Sequence, residues 1–440
     1  MAYEAIITPI VNIRPHSNAD RLNLGTACGH QVILGKETSE GELGIFFPDD
    51  GALSHEMCMA NKLYIKHPET QEKMGGYFDT NKRVRVQRFR GEKSEGFWCP
   101  LSFLTWTEAD LSKLKSGQLI TELNGKLICE KYISPGLSKQ AMARAHGKKS
   151  KKIERFHVPT FLEHFDTKKL RYFIDQIPVG PILHFSCKAH GTSGRTGLLP
   201  VPKKLNIFQK GWNKLMTWSN LVFPVEQYRI VSGTRRVTLD PDKTETGYYS
   251  GTHFRREIHN MFSSLGLYQG ETFYYEIVGY TGHNDQQIMP SHVITDAKLK
   301  KQYGDKMTYT YGCLPGQYKV LIYRITRLTP DKKDIVDMPW YEVKRRCKQL
   351  GLETVYDLGS QVYDGNIENL LEYVDSLTWG PDPLGKTHIR EGVCVRVEHS
   401  DMTNIFKHKS YYFCELEGIA KDSPEYIDPE EAEENITGDT

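Results

Sequence analysis

A lysine that an apolar strand delivers to a glycine turn can serve as a nucleophile, and Lys188 stands in that setting. Pro181-Ile182-Leu183-His184-Phe185-Ser186-Cys187 runs into Lys188-Ala189-His190-Gly191-Thr192-Ser193-Gly194. An amine held there beside a bound nucleotide could attack it covalently. Alone the spacing is common, since a glycine also lies three residues after Lys73, Lys301 and Lys348. Further stretches sharpen the reading by their order. Ser232-Gly233-Thr234-Arg235-Arg236 is a small-residue turn followed by two arginines. Phe273-Tyr274-Tyr275-Glu276-Ile277-Val278-Gly279 is a strand with one acid in it, and Tyr318-Lys319-Val320-Leu321-Ile322-Tyr323-Arg324-Ile325 is a strand with aromatic residues. Glu391-Gly392-Val393-Cys394-Val395-Arg396 and Phe406-Lys407-His408-Lys409-Ser410 close the series.

In type, order and approximate spacing these stretches resemble the covalent nucleotidyltransferase superfamily of ATP-dependent RNA and DNA ligases and mRNA capping enzymes. The resemblance covers most of residues 181–413. His190 stands where many DNA ligases and capping enzymes carry Asp, which points toward RNA ligases that seal nicks in duplexes. A β-rich module ahead of the nucleotidyltransferase domain is similar to the Deinococcus-type (fifth) RNA ligase family, whose OB domain is N-terminal. DNA ligases and capping enzymes usually carry theirs C-terminally, and no room for one is expected after residue 415.

The resemblance implies that Lys188 attacks the α-phosphorus of ATP, expels pyrophosphate and becomes lysyl-AMP. AMP then passes to an RNA 5′-phosphate, and a 3′-OH displaces it. Gly191 belongs to the nucleotide-binding turn. Glu276 is expected to accept hydrogen bonds from the ribose, and Tyr323, with Tyr318 as rival, to stack on adenine. Glu391 is expected to help hold Mg²⁺ or Mn²⁺. Lys407 and Lys409 alternate on a strand, so both face one side; they are expected to contact the α-phosphate. Arg235 or Arg236 would bind phosphate or sugar near AMP, with Arg235 preferred. His190 would assist substrate phosphate binding or shape the turn. Lys188 must attack as a neutral amine, yet at its ordinary pKa only about one lysine in a few thousand is neutral at pH 7. Nearby cations and desolvation are expected to lower that pKa.

Elements that position these residues follow from pattern. The expected class is α+β: an OB-like β-barrel over residues 1–130, a basic linker over 131–156, a ligase-type nucleotidyltransferase domain of antiparallel sheets and flanking helices over 157–417, and an acidic, disordered tail over 418–440. Short apolar runs such as Gln31-Val32-Ile33-Leu34 and Gly44-Ile45-Phe46-Phe47, each ended by turn residues, make the first region β-rich. The spacing predicts a helix through Lys344–Leu350, with Trp340, Val343 and Cys347 on one side, and a second around Ile367, Leu370, Leu371 and Val374. By strand parity, Arg83 and Arg85 share one face, and a bulge near Gln87 would add Arg88 and Arg90 to make a basic face for a phosphate backbone. Equally, the run reads as a charged edge strand. Lys148, Lys149, Lys151 and Lys152 form a second candidate nucleic-acid contact. The insertion over 195–230, with Trp212 and Trp218, is longer than minimal ligases carry and leaves a lid or a substrate contact open.

Composition bounds the alternatives. With 440 residues, 39% hydrophobic and 25% charged, the chain is of globular type. Nine scattered cysteines without a Cys-x-x-Cys pair argue against structural zinc and a disulfide framework. The net charge of +2 hides an asymmetry: residues 421–440 hold eight acids against Lys421, leaving 56 Lys+Arg against 47 Asp+Glu elsewhere. No apolar run reaches the roughly 20 residues needed to span a bilayer, so no membrane partner and a cytoplasmic location (or the cytosol of an infected host) are expected. The expected partner is a nicked duplex RNA or RNA/DNA hybrid, bound by a monomer. A GTP-dependent capping guanylyltransferase would use the same lysine. A non-catalytic RNA-binding protein with a degenerate ligase domain is the alternative of a different class, and retention of Lys188, Glu276, Glu391, Lys407 and Lys409 together argues against it.

Overall fold

Alternation with period two builds the strand that carries Lys188. Leu183, Phe185 and Cys187 are buried on one side of Ile182–Lys188, and His184, Ser186 and Lys188 take the other. The computed structural model describes residues 3–139, 157–165, 167–203, 205–216, 222–239, 253–282, 286–398, 403–423 and 425–429. It divides into two units, Met1–Ser138 with Tyr411–Glu425, and Lys139–Ser410 with Tyr426–Thr440. The basic cluster Lys148, Lys149, Lys151 and Lys152 lies outside the described residues.

Among its described residues the second unit holds a two-stranded sheet, His292–Val293 with Lys306–Met307, and two large, mainly antiparallel ones. One orders Lys168–Lys169, Thr403–Lys409, Gly392–Glu398, Ile182–Lys188 and Asp357–Val362, with only its first pair parallel. Its inner side is a core of Leu183, Phe185, Val393, Val395 and Phe406 with Leu370 and Val374 of the helix Ile367–Thr378. The other orders Glu226–Gly233, Thr192–Pro202, Glu271–Gly279, Tyr318–Leu328 and Ile335–Asp337, and Glu353–Thr354 also pairs with Tyr318–Leu328. The chain passes from the first sheet to the second through Ala189-His190-Gly191. Both predicted helices form, the first as Trp340–Leu350 with Trp340, Val343 and Cys347 buried as the spacing requires.

Glu271 has no solvent exposure and meets the Arg346 guanidinium at 2.8 Å and that of Arg327 at 3.2 Å. Neutralising the acid strands a buried cation. Glu271→Gln is therefore expected to lower unfolding stability by about 3 kcal/mol, read as a fall in the urea midpoint.

In the first unit the β-rich expectation holds, but the expected barrel does not. Strand pairing among the described residues yields five separate sheets and no closed ring. Several strands, such as Arg83–Val84 and Leu119–Ile120, are two residues long and supply too few ladder bonds to join one sheet to the next. The core gathers Ile7, Ile45, Phe47, Leu53, Met57 and Ile128.

The basic face is also reassigned. Arg83 is 5% exposed and donates to Gly418 O at 2.8 Å and Asp422 Oδ1 at 2.7 Å, while Arg85 pairs with the other Asp422 oxygen. Arg88 pairs with Glu415 at 3.2 Å. Asp422 and Glu415 thus engage Arg83, Arg85 and Arg88, and buried Arg83 presents no charge to a phosphate. Correspondingly, residues 418–423, expected to open the tail, complete and follow the helix Tyr411–Lys421, on which Phe413 and Leu416 are buried. Residues 430–440 lie outside the described residues.

Candidate active site

Three positions line up across the first sheet. Gly392 pairs with Lys188 on one side and Lys409 on the other. In the next such row, Cys394 pairs with Ser186 and Lys407, and Lys407 with Lys169. Side chains two apart share a face, so Lys188, Lys407 and Lys409 project to the same side, away from the apolar core. Gly392 permits this close stacking: a Cβ there would sit 2.2 Å from His408 O and 2.7 Å from Lys409 Cα.

Glu391 enters beside that row, 2% exposed. Its Oε1 lies 2.8 Å from Lys188 Nζ and 3.6 Å from Lys409 Nζ. Its Oε2 is buried and accepts no hydrogen bond among the described residues; His190 Nδ1 stands 3.9 Å away. The expected lowering of the Lys188 pKa is not what this arrangement produces. Burial is the largest single influence and depresses it, as does Lys409, but Glu391, Glu276 and Cys394 together outweigh them, so the net direction is up. Lys188 is held as a charged partner. Lys407 behaves in the opposite way. Burial first, then Lys409, Lys188, Lys169 and Arg235, push it down to about 8.

A lowered folded-state pKa means the unfolded chain binds the proton more tightly. The penalty is full below pH 8 and fades as pH rises toward the ordinary lysine value. Lys407→Met is therefore expected to stabilise the ligand-free protein at pH 7 by on the order of 2 kcal/mol, a gain that shrinks by pH 10. Thermal melts across that range check it.

The turn itself is fixed from beneath. His190 N donates to the Tyr311 hydroxyl at 2.6 Å. The His190 ring, 6% exposed, packs edge-on to Tyr309 at 4.6 Å. It faces inward, which fits the turn-shaping role better than contact with a substrate phosphate. Gly191 is pressed against the neighbouring strand, where a Cβ would lie 2.2 Å from Ile277 O. Any side chain there would push Lys188 away from Glu276.

Across the turn, the second sheet sorts its residues by face. The helix Phe254–Ser264 covers one face: His259 bonds Ser232 at 2.9 Å, Arg255 bonds Thr192 at 2.8 Å, and Phe262 stacks on Tyr275. Ser193, Arg195 and Glu276 take the opposite face, and Ser193 Oγ donates to Glu276 Oε2 at 3.2 Å. Register decides between the two candidate tyrosines. Glu276 pairs with Leu321, so Tyr318, three residues before Leu321, falls on the helix-covered face and donates to Glu257 at 3.0 Å. Tyr323, two residues past Leu321 at a bulge, shares the face of Glu276 and bonds His164 Nδ1.

Arg235 is half-buried, and its charge reaches Lys407, whereas Arg236 is exposed. Arg195 holds that turn in place. It is 1% exposed, donates to Thr234 O at 3.1 Å and to Phe161 O at 3.0 Å, and lies over the Phe161 ring. Arg195, Ser193, Tyr311 and Lys319 were missed from sequence. For Arg195 and Lys319 a signal existed: each is a charge at an alternate position of a strand, Arg195 two residues past Ser193 and Lys319 opposite Val278, on the face of Glu276.

No family model matches the chain, and no curated protein matches it. Solved structures do. A Naegleria gruberi RNA ligase variant without ligand aligns at 18% identity with a TM-score of 0.56, covering 94% of this chain and 98% of that one. A variant of the same enzyme with ATP and Mn aligns at 16% identity and TM-score 0.57, covering 95% and 99%. Another with AMP and Mn aligns at 17% and 0.57 over the same shares. At this identity the likeness establishes a shared fold, of mixed α and β structure with antiparallel sheets.

Proposed function

We propose that the chain is an ATP-dependent RNA ligase that seals 3′-OH/5′-phosphate breaks in duplex RNA or RNA/DNA hybrids. The observation that carries this reading is the convergence of Lys188, Glu391, Lys407 and Lys409 on one face at the sheet-to-sheet turn, with Glu276 on the strand next to it. Solved neighbours include Naegleria gruberi RNA ligase variants with ATP or AMP and Mn, which supports the nucleotide and the metal. The N-terminal position of the β-rich unit supports the Deinococcus-type assignment.

In this reading the Lys188 amine forms a P–N bond to the α-phosphorus of ATP while the bond to pyrophosphate breaks. Lys407 and Lys409 neutralise charge growing on the α-phosphoryl oxygens. AMP then moves to the RNA 5′-phosphate: the P–N bond breaks, and a phosphoanhydride forms. Finally the 3′-oxygen bonds to that phosphate and AMP leaves. Glu276 binds the ribose, Tyr323 the adenine and Arg235 a phosphate.

The unbonded Oε2 of Glu391 fits a hard divalent cation, Mg²⁺ or Mn²⁺. No cluster of three acidic, His or Cys ligands occurs among the described residues, so phosphate oxygens and water would complete the shell. Such a cation would supply charge neutralisation at the phosphates and draw the Glu391 carboxylate off Lys188, favouring the neutral amine.

The test is ligation of a nicked RNA duplex carrying 3′-OH and 5′-phosphate ends, with ATP and Mg²⁺ or Mn²⁺, against the same strands unpaired. Joining of the nick well above joining of free strands is expected. Joining of free strands alone would reassign the substrate, and no joining with a pre-adenylylated nick would remove the ligase reading.

A further inference from the structure

The insertion carries an inside-out helix in its middle. Ile207–Leu215 follows Pro202, at the far end of the strand that begins beside the lysine turn, and starts with a capping box between Asn206 and Gln209. At 100° per residue, Ile207, Phe208, Trp212 and Leu215 fall on one half of the helix, and Gln209, Lys210, Asn213 and Lys214 on the other. A surface helix ordinarily turns its apolar half toward the core. Here Asn213, on the polar half, is tied to the chain, donating to Phe223 O at 2.8 Å and accepting from Phe223 N at 2.7 Å. The apolar half faces outward: Ile207 is 86% exposed, Phe208 87% and Leu215 68%. Val222, Phe223 and Val225 on the attached segment are exposed as well.

Charge narrows the partner. Between Pro202 and Glu226 the sequence contains no acid and four lysines, Lys203, Lys204, Lys210 and Lys214. A polyanion alone would account for the lysines, but exposed Ile, Leu and Val side chains gain little from phosphates or base edges. Hydrocarbon beneath a layer of negative headgroups satisfies both halves. We propose that Ile207–Leu215 is an interfacial anchor that lays its apolar half into an anionic lipid surface, its lysines meeting the headgroups. The expectation of no membrane partner rested on the lack of a spanning segment. No described helix is long and apolar enough to cross, whereas lying on a surface needs only this amphipathic face.

The full chain would be sedimented with vesicles of phosphatidylcholine alone and of phosphatidylcholine with about 30 mol% phosphatidylserine. Binding to the anionic vesicles, weakening with salt, is expected. Phe208→Glu with Leu215→Glu is expected to cut the bound fraction at least about tenfold, and Lys210→Glu with Lys214→Glu to erase the preference for phosphatidylserine. Circular dichroism and thermal melts identify any variant that is misfolded, and Ile207→Ser then replaces it. Absence of vesicle binding, or binding indifferent to these substitutions, overturns the proposal. So does loss of nicked-RNA binding, or of a concentration-dependent dimer, in the same variants without vesicle binding; the face would then belong to RNA or to a second copy.

Discussion

Lys188→Ala is expected to abolish covalent nucleotide attachment, a loss of at least about 10⁴-fold, while leaving the fold intact. The side chain is the only amine of the site whose own strand ends at the sheet-to-sheet turn, and its Nζ lies 2.8 Å from Glu391. Lys407 and Lys409 both lie on Thr403–Lys409, two strands away in the sheet, and a cation there cannot replace the missing nucleophile. Removing Lys188 leaves Glu391 with Lys409 at 3.6 Å, so the buried acid keeps a partner and stability changes little. The variant should still bind a pre-adenylylated nick and join it, because the last step uses the 3′-OH and not the lysine. Release of pyrophosphate, followed beside joining of that pre-formed intermediate, separates the two steps.

Glu391→Gln is the second large effect, with nucleotide attachment expected to fall about 10³-fold. Two consequences of the charge oppose each other. Without the carboxylate Lys188 loses the partner that raises its pKa, so more of it is neutral at a given pH. Yet the oxygen that fits a divalent cation becomes a weak neutral ligand. The pH profile tells them apart. Attachment in the unaltered chain is expected to rise with pH as Lys188 gives up its proton. In Glu391→Gln the residual activity should rise over a lower pH range and need more metal for half-maximal rate. An unchanged profile would mean that Glu391 does not govern the protonation of Lys188.

How much of this was legible in the sequence depended on the range of the interaction. Which residues share a face followed from strand parity, so Lys407 with Lys409, and the buried side of Trp340–Leu350, could be read directly. Tyr318 and Tyr323 both looked suitable because their distinction lies in the register against Glu276 and in a bulge, neither of which a single strand reveals. The direction of the Lys188 pKa shift depended on which charge came nearest: the flanking cations pointed down, and the acid at 2.8 Å reversed them. Arg83 looked free for phosphate because its partner, Asp422, lies 339 residues along the chain. Tyr311, which fixes His190, is 121 residues away from it. The barrel failed for a related reason: short apolar runs are legible, but their closure into one ring is not.

The measurement that bears most directly on the account is covalent labelling with α-³²P-ATP or α-³²P-GTP and a divalent metal, with the labelled peptide mapped. An acid-labile label from ATP on Lys188, lost in Lys188→Ala, is the predicted result. Label from GTP alone would make the chain a capping-type guanylyltransferase. No label from either nucleotide, on folded protein not already adenylylated, would contradict the account.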